Sequence, residues 1–427
     1  MAEKRIRRQY TEQEFAAKIK EAGGRSFLVG GYVRDYCRGA AAKDRDYVIC
    51  GLNRPDFERI FPGAHCVGKS FPVYLLDIDG ETCEVSLARR ERKIADGYRG
   101  FAVSSDAQIT IEQDLWRRDT RMNAMALELP ERTLVDPYDG QADIREGVIR
   151  PVSEHFTEDP VRALRAARQA AELGYALPRE TLEMMSRCRR ELQKESEERF
   201  RKELERALAA ARPSRFFRAL RQAGLLDITF PEIFALIGKT QPPQWHPEGD
   251  AFEHTMQVVD EVSAEAKNIV CRFAALVHDL GKGTTPPEML PHHYDHETRG
   301  LEVLEKWRTR ANLPKQWLEA ARFVIEHHMH ACRMKKPGKI VKLLLALKRC
   351  PLTAEEFCII LRADHSEPTP YLLYADELLP ALQAVSGRDA PEGLQGEAVG
   401  VWIEGQRTRI YRRLAAELQG IETKEDD

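Results

Sequence analysis

The sequence predicts an α+β protein in which a small mixed α/β head is followed by a long all-α region. Short stretches rich in β-forming residues, separated by turns, run to about residue 135. From Asp159 onwards, Ala, Leu, Glu and Arg recur with helical spacing. The chain has 427 residues, of which 43% are hydrophobic and 31% are charged. Such a chain is long enough for several folded segments and too apolar for extensive disorder.

Changes in composition divide the chain into five segments. We expect a basic N-terminal extension at 1–24, a head at 25–135, a helical neck at 136–212, a helical body at 213–370 and a helical tail at 371–427. Gly23 and Gly24 mark the first boundary, because a glycine pair interrupts regular structure.

Charge and cysteine content restrict the classes of function. The net charge is −3, so only local basic patches such as EKRIRR, ARRERK and GQRTRIYRR are suited to a polyanion. The nine cysteines are scattered without a C-x-x-C pair, which predicts free thiols and no zinc knuckle. No apolar run approaches the roughly 18 residues of a membrane helix, and the charged N-terminus lacks an apolar leader. We therefore expect a cytoplasmic protein without membrane attachment.

The elements of the head follow from its apolar stretches. Strands are predicted in SFLVGG, DYVIC, PVYLLDI, TCEVSLA and NAMALEL, and a helix is predicted in GYVRDYCRG. The charged segment ARRERKIADGYRGF after the fourth strand is expected to be a mobile loop, either a lid or an inert surface loop.

Two carboxylates open the second predicted strand. Asp44 and Asp46 are two positions apart, which places them on one face of a strand about 6–7 Å from each other. Carboxylates at this spacing suit one or two Mg²⁺ ions, which activate an attacking hydroxyl and neutralise a triphosphate. A solvated turn explains the same pair about as well. Glu84, on the fourth strand, is either a third acid of this site or a salt-bridged strand residue.

A glycine pair precedes the acidic pair. In LVGGYVRD, Gly30 and Gly31 end a strand and begin a helix, where backbone N–H groups approach a phosphate easily. Arg34 lies one turn into this helix and is placed to reach the same phosphates. Gly-Gly alone is also an ordinary turn. A phosphate cradle followed at once by an acidic pair is a rarer combination.

A dense run of charges, DLWRRDTRMNA, precedes the last strand of the head. Such runs are usually solvated faces. Beside a phosphate cradle, however, Arg118, Asp119 and Asn123 are candidates for ribose and phosphate contacts.

The neck opens with TEDPVRALRAARQAA, a helical pattern. Glu158 and Arg162 are four positions apart and Asp159 and Arg162 three apart, so all three share a helix face. An Asp and an Arg side by side accept and donate hydrogen bonds as the edge of a base does. From the pattern alone, an ordinary surface ion pair is the favoured interpretation.

The body concentrates the histidines of the chain. Ten of the 12 histidines lie between residues 246 and 365, in the company of aspartates. The stretches concerned are WHPEGDAFEHT, HDLGKG, PHHYDHET, EHHMH and ADH. Imidazoles and carboxylates gathered on the helices of one bundle suit a transition metal.

The ordered motifs of the head resemble those of the class II tRNA nucleotidyltransferases, the CCA-adding enzymes, which are related to bacterial poly(A) polymerases. The motifs are LVGGYVRD, KDRDYV, ARRERK, GYRGF, DLWRRDTRMNA, VDPYDG and DIREGVIR. The resemblance runs from about residue 26 through most of the chain. It implies a polymerase-β-like palm in the head, and template-independent addition of CCA to tRNA from CTP and ATP.

The resemblance also implies roles for the residues named above. Asp44 and Asp46 would bind catalytic Mg²⁺, with Glu84 as a third acid. The candidate nucleotide-binding residues are Gly30, Gly31, Arg34, Arg118, Asp119, Asn123, Glu158, Asp159, Arg162, Arg165 and Arg168.

Within that set, the E-D-x-x-R motif would be the protein template that selects CTP and then ATP. Asp159 and Arg162 would pair with the base, and Glu158 would orient Arg162. Two positions depart from the family pattern. Arg121 stands in place of a Thr, and Gln169 stands where an aromatic residue is common.

The order H…HD…H…H…D in the body resembles the HD phosphohydrolase superfamily, whose domain some proteobacterial-type CCA-adding enzymes carry. By position, one divalent transition metal such as Ni²⁺ or Mn²⁺ would be held by four residues and a second metal by two more. These are His254, His278, Asp279 and Asp364 for the first, and His296 and His328 for the second. The implied activity is hydrolysis of phosphate monoesters and 2′,3′-cyclic phosphates. The continuation ADHSEP departs from the superfamily pattern, so a purely structural HD bundle is the alternative.

Several functions are compatible with these patterns. The expected function is full CCA addition to the acceptor arm of tRNA by a monomer or homodimer. The alternatives are addition of only A or only CC, an HD hydrolase or RNA-binding protein with an inactive head, and a poly(A) polymerase. The complete segment ARRERKIADGYRGF argues against CC-only addition, because the resemblance implies that this loop is needed for the switch to ATP. The extension at 1–24 is either an additional tRNA contact or a disordered leader.

Overall fold

The computed structural model of the chain describes residues 9–67, 72–94 and 101–418, without the side chains of Phe101 and Val103. Within this part, the chain forms two compact units. The first contains the residues up to Ser196 together with Arg218–Ile228, and the second contains Glu197–Phe217 together with the residues from Thr229 onwards.

The first unit is built on a seven-stranded sheet. Its strands are β1 Arg25–Val29, β2 Asp46–Cys50, β3 His65–Val67, β4 Val73–Ile78, β5 Glu81–Leu87, β8 Ala126–Glu128 and β9 Thr133–Val135. They lie in the order β3-β4-β5-β2-β1-β8-β9, and only the β2–β5 pair is parallel. A separate hairpin joins β6 Arg89–Lys93 to β7 Phe101–Ser105.

The helices of the first unit cover both faces of this sheet and continue into the neck. They are α1 Glu12–Glu21, α2 Gly31–Cys37, α3 Arg54–Ile60, α4 Ile111–Trp116, α5 Gly140–Glu146, α6 Val161–Leu173, α7 Arg179–Arg187 and α8 Arg189–Leu192. Successive residues of a strand point to opposite faces. Leu28 and Ile49 accordingly pack in one apolar cluster with α1 and α3, whereas Phe27 and Val48 pack with α4 in another.

The second unit is helical. Its helices, with the α10 and α11 segments that share residues with the first unit, are α9 Glu197–Leu208, α10 Ser214–Gln222, α11 Leu226–Thr229, α12 Pro231–Phe234, α13 Ala251–Glu265, α14 Ile269–Val277, α15 His296–Ala311, α16 Lys315–Ala331, α17 Pro337–Arg349, α18 Ala354–Ala363, α19 Pro370–Leu373, α20 Ala375–Ala384 and α21 Glu397–Glu417. A large apolar cluster joins α13, α14, α16, α17, α18, α20 and α21. The predicted α+β fold class, a mixed α/β head followed by helices, is confirmed.

The N-terminal segment is partly integrated into the head. Residues 1–8 lie outside the described part of the chain. Thr11 forms a capping box with Glu14 at the start of α1, and Phe15 and Ile19 of this helix are fully buried in the head core. The amphipathic spacing of α1 therefore places it on the sheet.

The segment predicted as a loop after the fourth strand differs from expectation. Its two ends pair as the antiparallel strands β6 and β7, with Arg89 opposite Ser105 and Lys93 opposite Phe101. Residues 95–100 between them lie outside the described residues. All five residues of β6 are charged, so this strand lacks the apolar periodicity from which strands are usually predicted.

Candidate active sites

Asp46 is the acid around which the site in the head is arranged. It begins β2, where the parallel register places it beside Glu84 of β5 and the antiparallel register places it beside Val29 of β1. Burial, the Glu84 carboxylate and the Asp44 carboxylate raise the pKa of Asp46 to about 6, against the opposing effect of Arg118. Carboxylates that repel each other in a partly buried site are suited to a divalent cation.

Asp44 differs from its predicted conformation. The expectation that Asp44 and Asp46 share a strand face is wrong, because the strand begins only at Asp46. Asp44 has a φ of 53°, in the left-handed region that Asp tolerates better than most residues, and it is exposed in the preceding turn. Its charge still acts on Asp46, so the turn brings the two carboxylates near each other in another way.

Gly30 allows a close approach at the start of α2. It has a φ of 73°, which strains any other residue type. A Cβ at this position would lie 3.4 Å from Nη1 of Arg118 and 3.7 Å from Oδ2 of Asp46. The Gly30 turn, the Asp46 carboxylate and the Arg118 guanidinium therefore surround one small volume. Gly31 follows as the first residue of α2, near the guanidinium of Arg34.

Arg118 is a partly buried cation with spare hydrogen-bonding capacity. Its Nη2 donates to Oδ2 of Asp114 at 3.3 Å, while its buried Nε has no hydrogen-bond partner among the described residues. Burial lowers the pKa of Arg118. An arginine with an unused N–H group beside the Asp46 carboxylate is suited to a phosphate oxygen.

Asp119 is buried and organises the residues beside Arg118. Its carboxylate accepts hydrogen bonds from the Thr120 N–H at 2.8 Å, Nδ2 of Asn123 at 3.1 Å, Nε of Arg165 at 2.9 Å and Nε2 of Gln169 at 3.1 Å. Although burial opposes ionisation, Arg165 and these hydrogen bonds hold the pKa of Asp119 well below its usual value. Asp119 thus positions other side chains.

Arg34 is held in place through that network. Its Nη1 donates to Oδ1 of Asn123 at 3.1 Å, and its Nε and Nη2 donate to Asp35 at 3.0 and 2.8 Å. The predicted nucleotide-binding residues Arg34, Asn123, Asp119 and Arg165 are therefore connected by consecutive hydrogen bonds.

The two departures from the family pattern have separate surroundings. Gln169 is fully buried, and its Oε1 accepts from the Thr120 hydroxyl at 3.0 Å while its Nε2 bonds to Asp119. The amide is thus a matched partner of this polar core. Nε of Arg121 donates to the Pro151 carbonyl at 3.4 Å, outside the Asp119 network.

Of the predicted base-selecting residues, Glu158 ends the 3₁₀ helix Glu154–Glu158, Asp159 has an extended backbone and Arg162 lies in the first turn of α6. The expectation that all three share one helix face is therefore wrong. Oδ1 of Asp159 accepts from the Val161 N–H at 3.2 Å, and Arg162 is buried. Nη1 of Arg162 donates to the carbonyl of His155 at 2.5 Å, whereas Oε2 of Glu158 lies 2.6 Å from Nδ1 of His155. The structure therefore joins Glu158 to Arg162 through His155.

Two neighbours of this motif complete the neck site. Arg168 is buried and ion-paired with Glu172. Glu91 of the hairpin lies 2.9 Å from Nη1 of Arg117 and 4.0 Å from Nη2 of Arg162, so the hairpin reaches the selecting residues.

A second site lies in the helical unit, where all six predicted metal ligands meet around Asp279. Ligand atoms of His254, His278, Asp279 and Asp364 lie within 4.8 Å of one another, and so do those of Asp279, His296 and His328. Nε2 of His278 is 3.1 Å from Oδ2 of Asp279, and Nε2 of His254 is 3.0 Å from Oδ1 of Asp364. Nε2 of His296 and of His328 are 3.4 and 3.5 Å from Oδ1 of Asp279.

The ring orientations are fixed from behind. Nδ1 of His278, His296 and His328 lies 2.8, 2.9 and 3.0 Å from the carbonyls of Ala275, His293 and Val324, respectively. A histidine that donates Nδ1–H to a carbonyl presents its Nε2 lone pair to a metal. Three rings therefore aim the same kind of atom at Asp279.

Unsatisfied atoms support a metal at this centre. Nε2 of His278 and Oδ1 of Asp279 are buried and have no hydrogen-bond partner among the described residues, whereas Oδ2 of Asp279 is paired with Nζ of the buried Lys282 at 2.5 Å. Buried polar atoms are rarely left in this state. The imidazole and carboxylate donors, and the two groups that share Asp279, fit a centre for one or two transition-metal ions.

Two further residues contact this centre that the sequence patterns did not single out as ligands. Oε1 of Glu248 lies 2.6 Å from Nδ1 of His254 and 3.1 Å from Nδ1 of His246, and these three form a further close group of potential ligands. Nζ of the buried Lys282 lies 2.5 Å from Oδ2 of Asp279. The signal for both was their position inside the motifs WHPEGD and HDLGKG.

The head has a looser set of acids than the body. Within the described residues, the close groups of three or more potential metal ligands all lie in the helical unit.

The described helices include none that is long and apolar enough to cross a membrane.

Known protein families match three parts of the chain. The Poly A polymerase head domain matches residues 26–150, and the HD domain matches residues 251–369. Between them, residues 174–237 match the family described as the probable RNA- and SrmB-binding site of polymerase A.

Curated relatives match almost the whole chain. The multifunctional CCA protein of Thioalkalivibrio sulfidiphilus is 38% identical over 93% of this chain and 100% of its own length. That of Methylococcus capsulatus is 41% identical over 92% of this chain and 95% of its own. The CCA-adding enzyme of Bacillus stearothermophilus in complex with CTP has a TM-score of 0.64 at 23% identity, covering 95% of this chain and 92% of that chain. At this identity the structural likeness establishes a shared fold.

Proposed function

Because the chain belongs to the family of multifunctional CCA proteins, we propose that it builds and repairs the 3′-terminal CCA of tRNA from CTP and ATP without a nucleic-acid template. The observation that carries this proposal is the convergence of the Gly30 turn, the Asp46 carboxylate and the Arg118 guanidinium. Together they offer a cation site and a hydrogen-bond donor for a phosphate group within one small volume.

The reaction joins the tRNA 3′ oxygen to the α-phosphorus of the nucleotide. The bond from the α-phosphorus to the bridging oxygen breaks, pyrophosphate leaves, and the hydroxyl proton passes to solvent. Asp44 and Asp46, with Glu84 adjacent, would hold Mg²⁺, which when bound neutralises the triphosphate and lowers the pKa of the hydroxyl. Arg118 donates to a phosphate oxygen through its unused Nε–H group.

The neck residues select the nucleotide in this proposal. Asp159 accepts a hydrogen bond from the amino group of cytosine or adenine, and Arg162 donates to a ring nitrogen or oxygen. Glu158 acts on Arg162 through His155, as their shared contacts suggest. Arg165 and Arg34 are fixed by Asp119 and its network, so the nucleotide meets side chains that are already ordered.

The proposal is tested with purified protein, Mg²⁺ and a tRNA that lacks CCA, supplied with CTP, ATP or both. Sequencing of the 3′ ends should show CCA when both nucleotides are present. Asp46→Asn should lose this activity by about 100-fold or more. Asp56→Asn, at a half-buried position of α3 where the carboxylate pairs with Arg59, is the matched control. If the protein adds only A, and only to tRNA that already ends in CC, its activity is A addition and full CCA addition is contradicted. No extension by any nucleotide would contradict the whole proposal.

We also propose that the helical unit hydrolyses phosphate monoesters and 2′,3′-cyclic phosphates. The observation that favours this second activity is the set of four histidines and two aspartates with unsatisfied buried atoms. His254, His278, Asp279 and Asp364 would hold one Ni²⁺ or Mn²⁺ ion, and His296 and His328 with Asp279 a second. A metal held by these residues would supply a water molecule of lowered pKa as the nucleophile; the P–O ester bond breaks and the alcohol leaves.

This second activity is measured on 2′,3′-cyclic AMP and on the monoester p-nitrophenyl phosphate, with Ni²⁺, Mn²⁺ or Mg²⁺ added to metal-free protein. Hydrolysis that requires a transition metal and is lost in Asp279→Asn supports it. Metal binding without hydrolysis of either substrate class would leave the centre structural and contradict the proposed activity.

The tail contributes a local basic surface for the RNA. Helix α21 exposes Arg409, Arg412 and Arg413 although the whole chain carries a net charge of −3. Binding of the tRNA acceptor arm there through phosphate contacts should weaken steeply as salt is raised.

A further inference from the structure

We infer that His155, supported by Trp116, is a positioning residue that sets the nucleotide selectivity of the neck. This inference rests on the proposed function and adds two residues to it. Neither belongs to the expected base-selecting set, and both lie in the first unit. The basis is that one residue contacts both Glu158 and Arg162.

His155 contacts the two selecting side chains through different atoms. Its carbonyl accepts from Nη1 of Arg162 at 2.5 Å, and its ring Nδ1 lies 2.6 Å from Oε2 of Glu158. The guanidinium of Arg162 is therefore fixed at Nη1, while its Nη2 lies 4.0 Å from Oε2 of Glu91. Because Nδ1 of the ring lies 2.6 Å from Oε2 of Glu158, the ring restricts the orientation of the Glu158 carboxylate.

His155 is itself held by short-range contacts. It lies in the 3₁₀ helix Glu154–Glu158, and its N–H donates to the hydroxyl of the capping Ser153 at 3.3 Å. That hydroxyl in turn donates to the carbonyl of Trp116 at 3.3 Å. The backbone that carries the accepting carbonyl is therefore connected to the end of α4.

Trp116 restrains the ring of His155. The two ring centroids are 3.9 Å apart at an interplanar angle of 81°, an edge-to-face arrangement. Trp116 is 45% exposed, although indole rings are mostly buried, so its exposed position is unusual for a residue with only a structural role. The ring blocks rotation of the imidazole away from Glu158, and the residues after Trp116 continue to Arg118 beside Asp46.

The geometry predicts how selectivity changes when this support is removed. Without the imidazole, Glu158 loses its partner and Arg162 keeps only a carbonyl on a less restrained backbone. A mobile guanidinium discriminates less between bases that differ in the position of donors and acceptors. The loss should appear as a smaller ratio between correct and incorrect nucleotides, and the rate of chemistry at Asp46 should change less.

The inference is tested by equilibrium binding of CTP, UTP, ATP and GTP in Mg²⁺, which needs no tRNA, alongside the extension assay. In His155→Ala, the preference for CTP over UTP and for ATP over GTP should fall by about tenfold, mainly through KM in the extension assay. Trp116→Ala should also lower both nucleotide preferences, by a smaller factor. His155→Asn should restore most of the preference, because its amide N–H can donate to Glu158.

His65→Ala removes an exposed histidine from β3 and serves as the control for loss of a histidine in the head. Melting temperatures report whether each variant is folded. Unchanged preferences in a folded His155→Ala protein would overturn the inference while leaving CCA addition intact. A uniform fall in kcat for all four nucleotides would overturn it as well. A wild-type protein that extends no tRNA contradicts the proposed function, and the binding preferences still decide the role of His155.

Discussion

Glu248 is the side chain that holds His254 from behind, as backbone carbonyls hold the other three ligand histidines. Its Oε1 lies 2.6 Å from Nδ1 of His254, whose Nε2 lies 3.0 Å from Asp364. A carboxylate behind a ligand histidine fixes the ring and strengthens it as a ligand. The metal position at His254 should therefore bind more tightly than the position at His296 and His328.

Replacement of Glu248 should weaken metal binding in the helical unit. In Glu248→Gln, the dissociation constant for the first Ni²⁺ ion should rise by about tenfold, because the ring loses its anionic partner. Isothermal titration of metal-free protein measures this directly. Glu261→Gln, on the exposed side of α13, is the matched control. Equal affinities in the two variants would show that Glu248 has no such role.

Asp119 is the second residue whose removal has a specific consequence. Asn at this position would place an N–H donor where Asp119 only accepts, against donors from Asn123, Arg165 and Gln169. The free energy of unfolding at neutral pH should fall by about 2 kcal/mol, a value reduced because Arg165 is partly exposed. Urea denaturation of Asp119→Asn against Asp56→Asn measures it.

The sign of the pH dependence follows from the pKa of Asp119. Since the folded protein holds this pKa below its usual value, the carboxylate stabilises the fold above about pH 4 and loses that contribution on acidification. Stability of the wild type and of Asp119→Asn should therefore converge as pH falls toward 3. A constant difference across this range would mean that the charge of Asp119 is not the cause.

Single residues show where sequence reasoning reached its limit. The types and order of residues were enough to expect acids at Asp44 and Asp46, but spacing alone could not reveal the left-handed turn at Asp44. Glu248 lies in a loop rich in Pro and Gly, where a carboxylate resembles any solvated side chain. His155 could not be selected either, because its partners come from two other segments of the chain.

At the scale of elements, strands were predicted where one face or both faces are apolar. β1, β2, β4 and β5 follow that rule and were found close to their predicted positions. β6 does not, since its residues Arg89–Lys93 are all charged and are held by pairing with β7 and by ion pairs. Period-2 hydrophobicity cannot reveal such a hairpin.

The 3₁₀ helix Leu280–Thr284 and α15 approach each other more closely than any side chain would allow. A Cβ at Gly281 would lie 1.8 Å from the His296 carbonyl oxygen and 2.6 Å from the Gly300 nitrogen. This contact holds the segment after Asp279 against the helix that begins with His296. The absence of a side chain at Gly281 therefore brings the two halves of the metal centre together.

Gly281→Ala should separate these two elements. The free energy of unfolding should fall by about 3 kcal/mol, because backbone atoms must move to make room. Binding of the second Ni²⁺ ion should be lost first, since Asp279 directly precedes the 3₁₀ helix and His296 begins α15. Denaturation and metal titration measure the two effects. Gly405→Ala is the control, because nothing lies within 4 Å of a Cβ there and Ala favours the helix by roughly 0.5–1 kcal/mol.

For the whole molecule, composition and periodicity were sufficient to predict a mixed head followed by helices, and that fold class is confirmed. The convergence of six ligands from α13 through α18 was expected only from the resemblance to known families. No local pattern connects His254 to Asp364, 110 positions apart along the chain. Long-range contacts of this kind depend on the packing of the bundle.

The two proposed centres lie in separate compact units, and this division predicts independent activities. Asp46→Asn should abolish CCA addition and leave Ni²⁺-dependent hydrolysis of cyclic phosphate within about twofold of wild type, because effects at sites without shared partners are nearly independent. Asp279→Asn should give the reverse result. Chelation should remove both activities, after which Mg²⁺ should restore only CCA addition and Ni²⁺ should restore hydrolysis. Loss of both activities in either single variant would show that the centres are coupled. If one metal restored both activities equally, the assignment of different ions to the two donor sets would be contradicted.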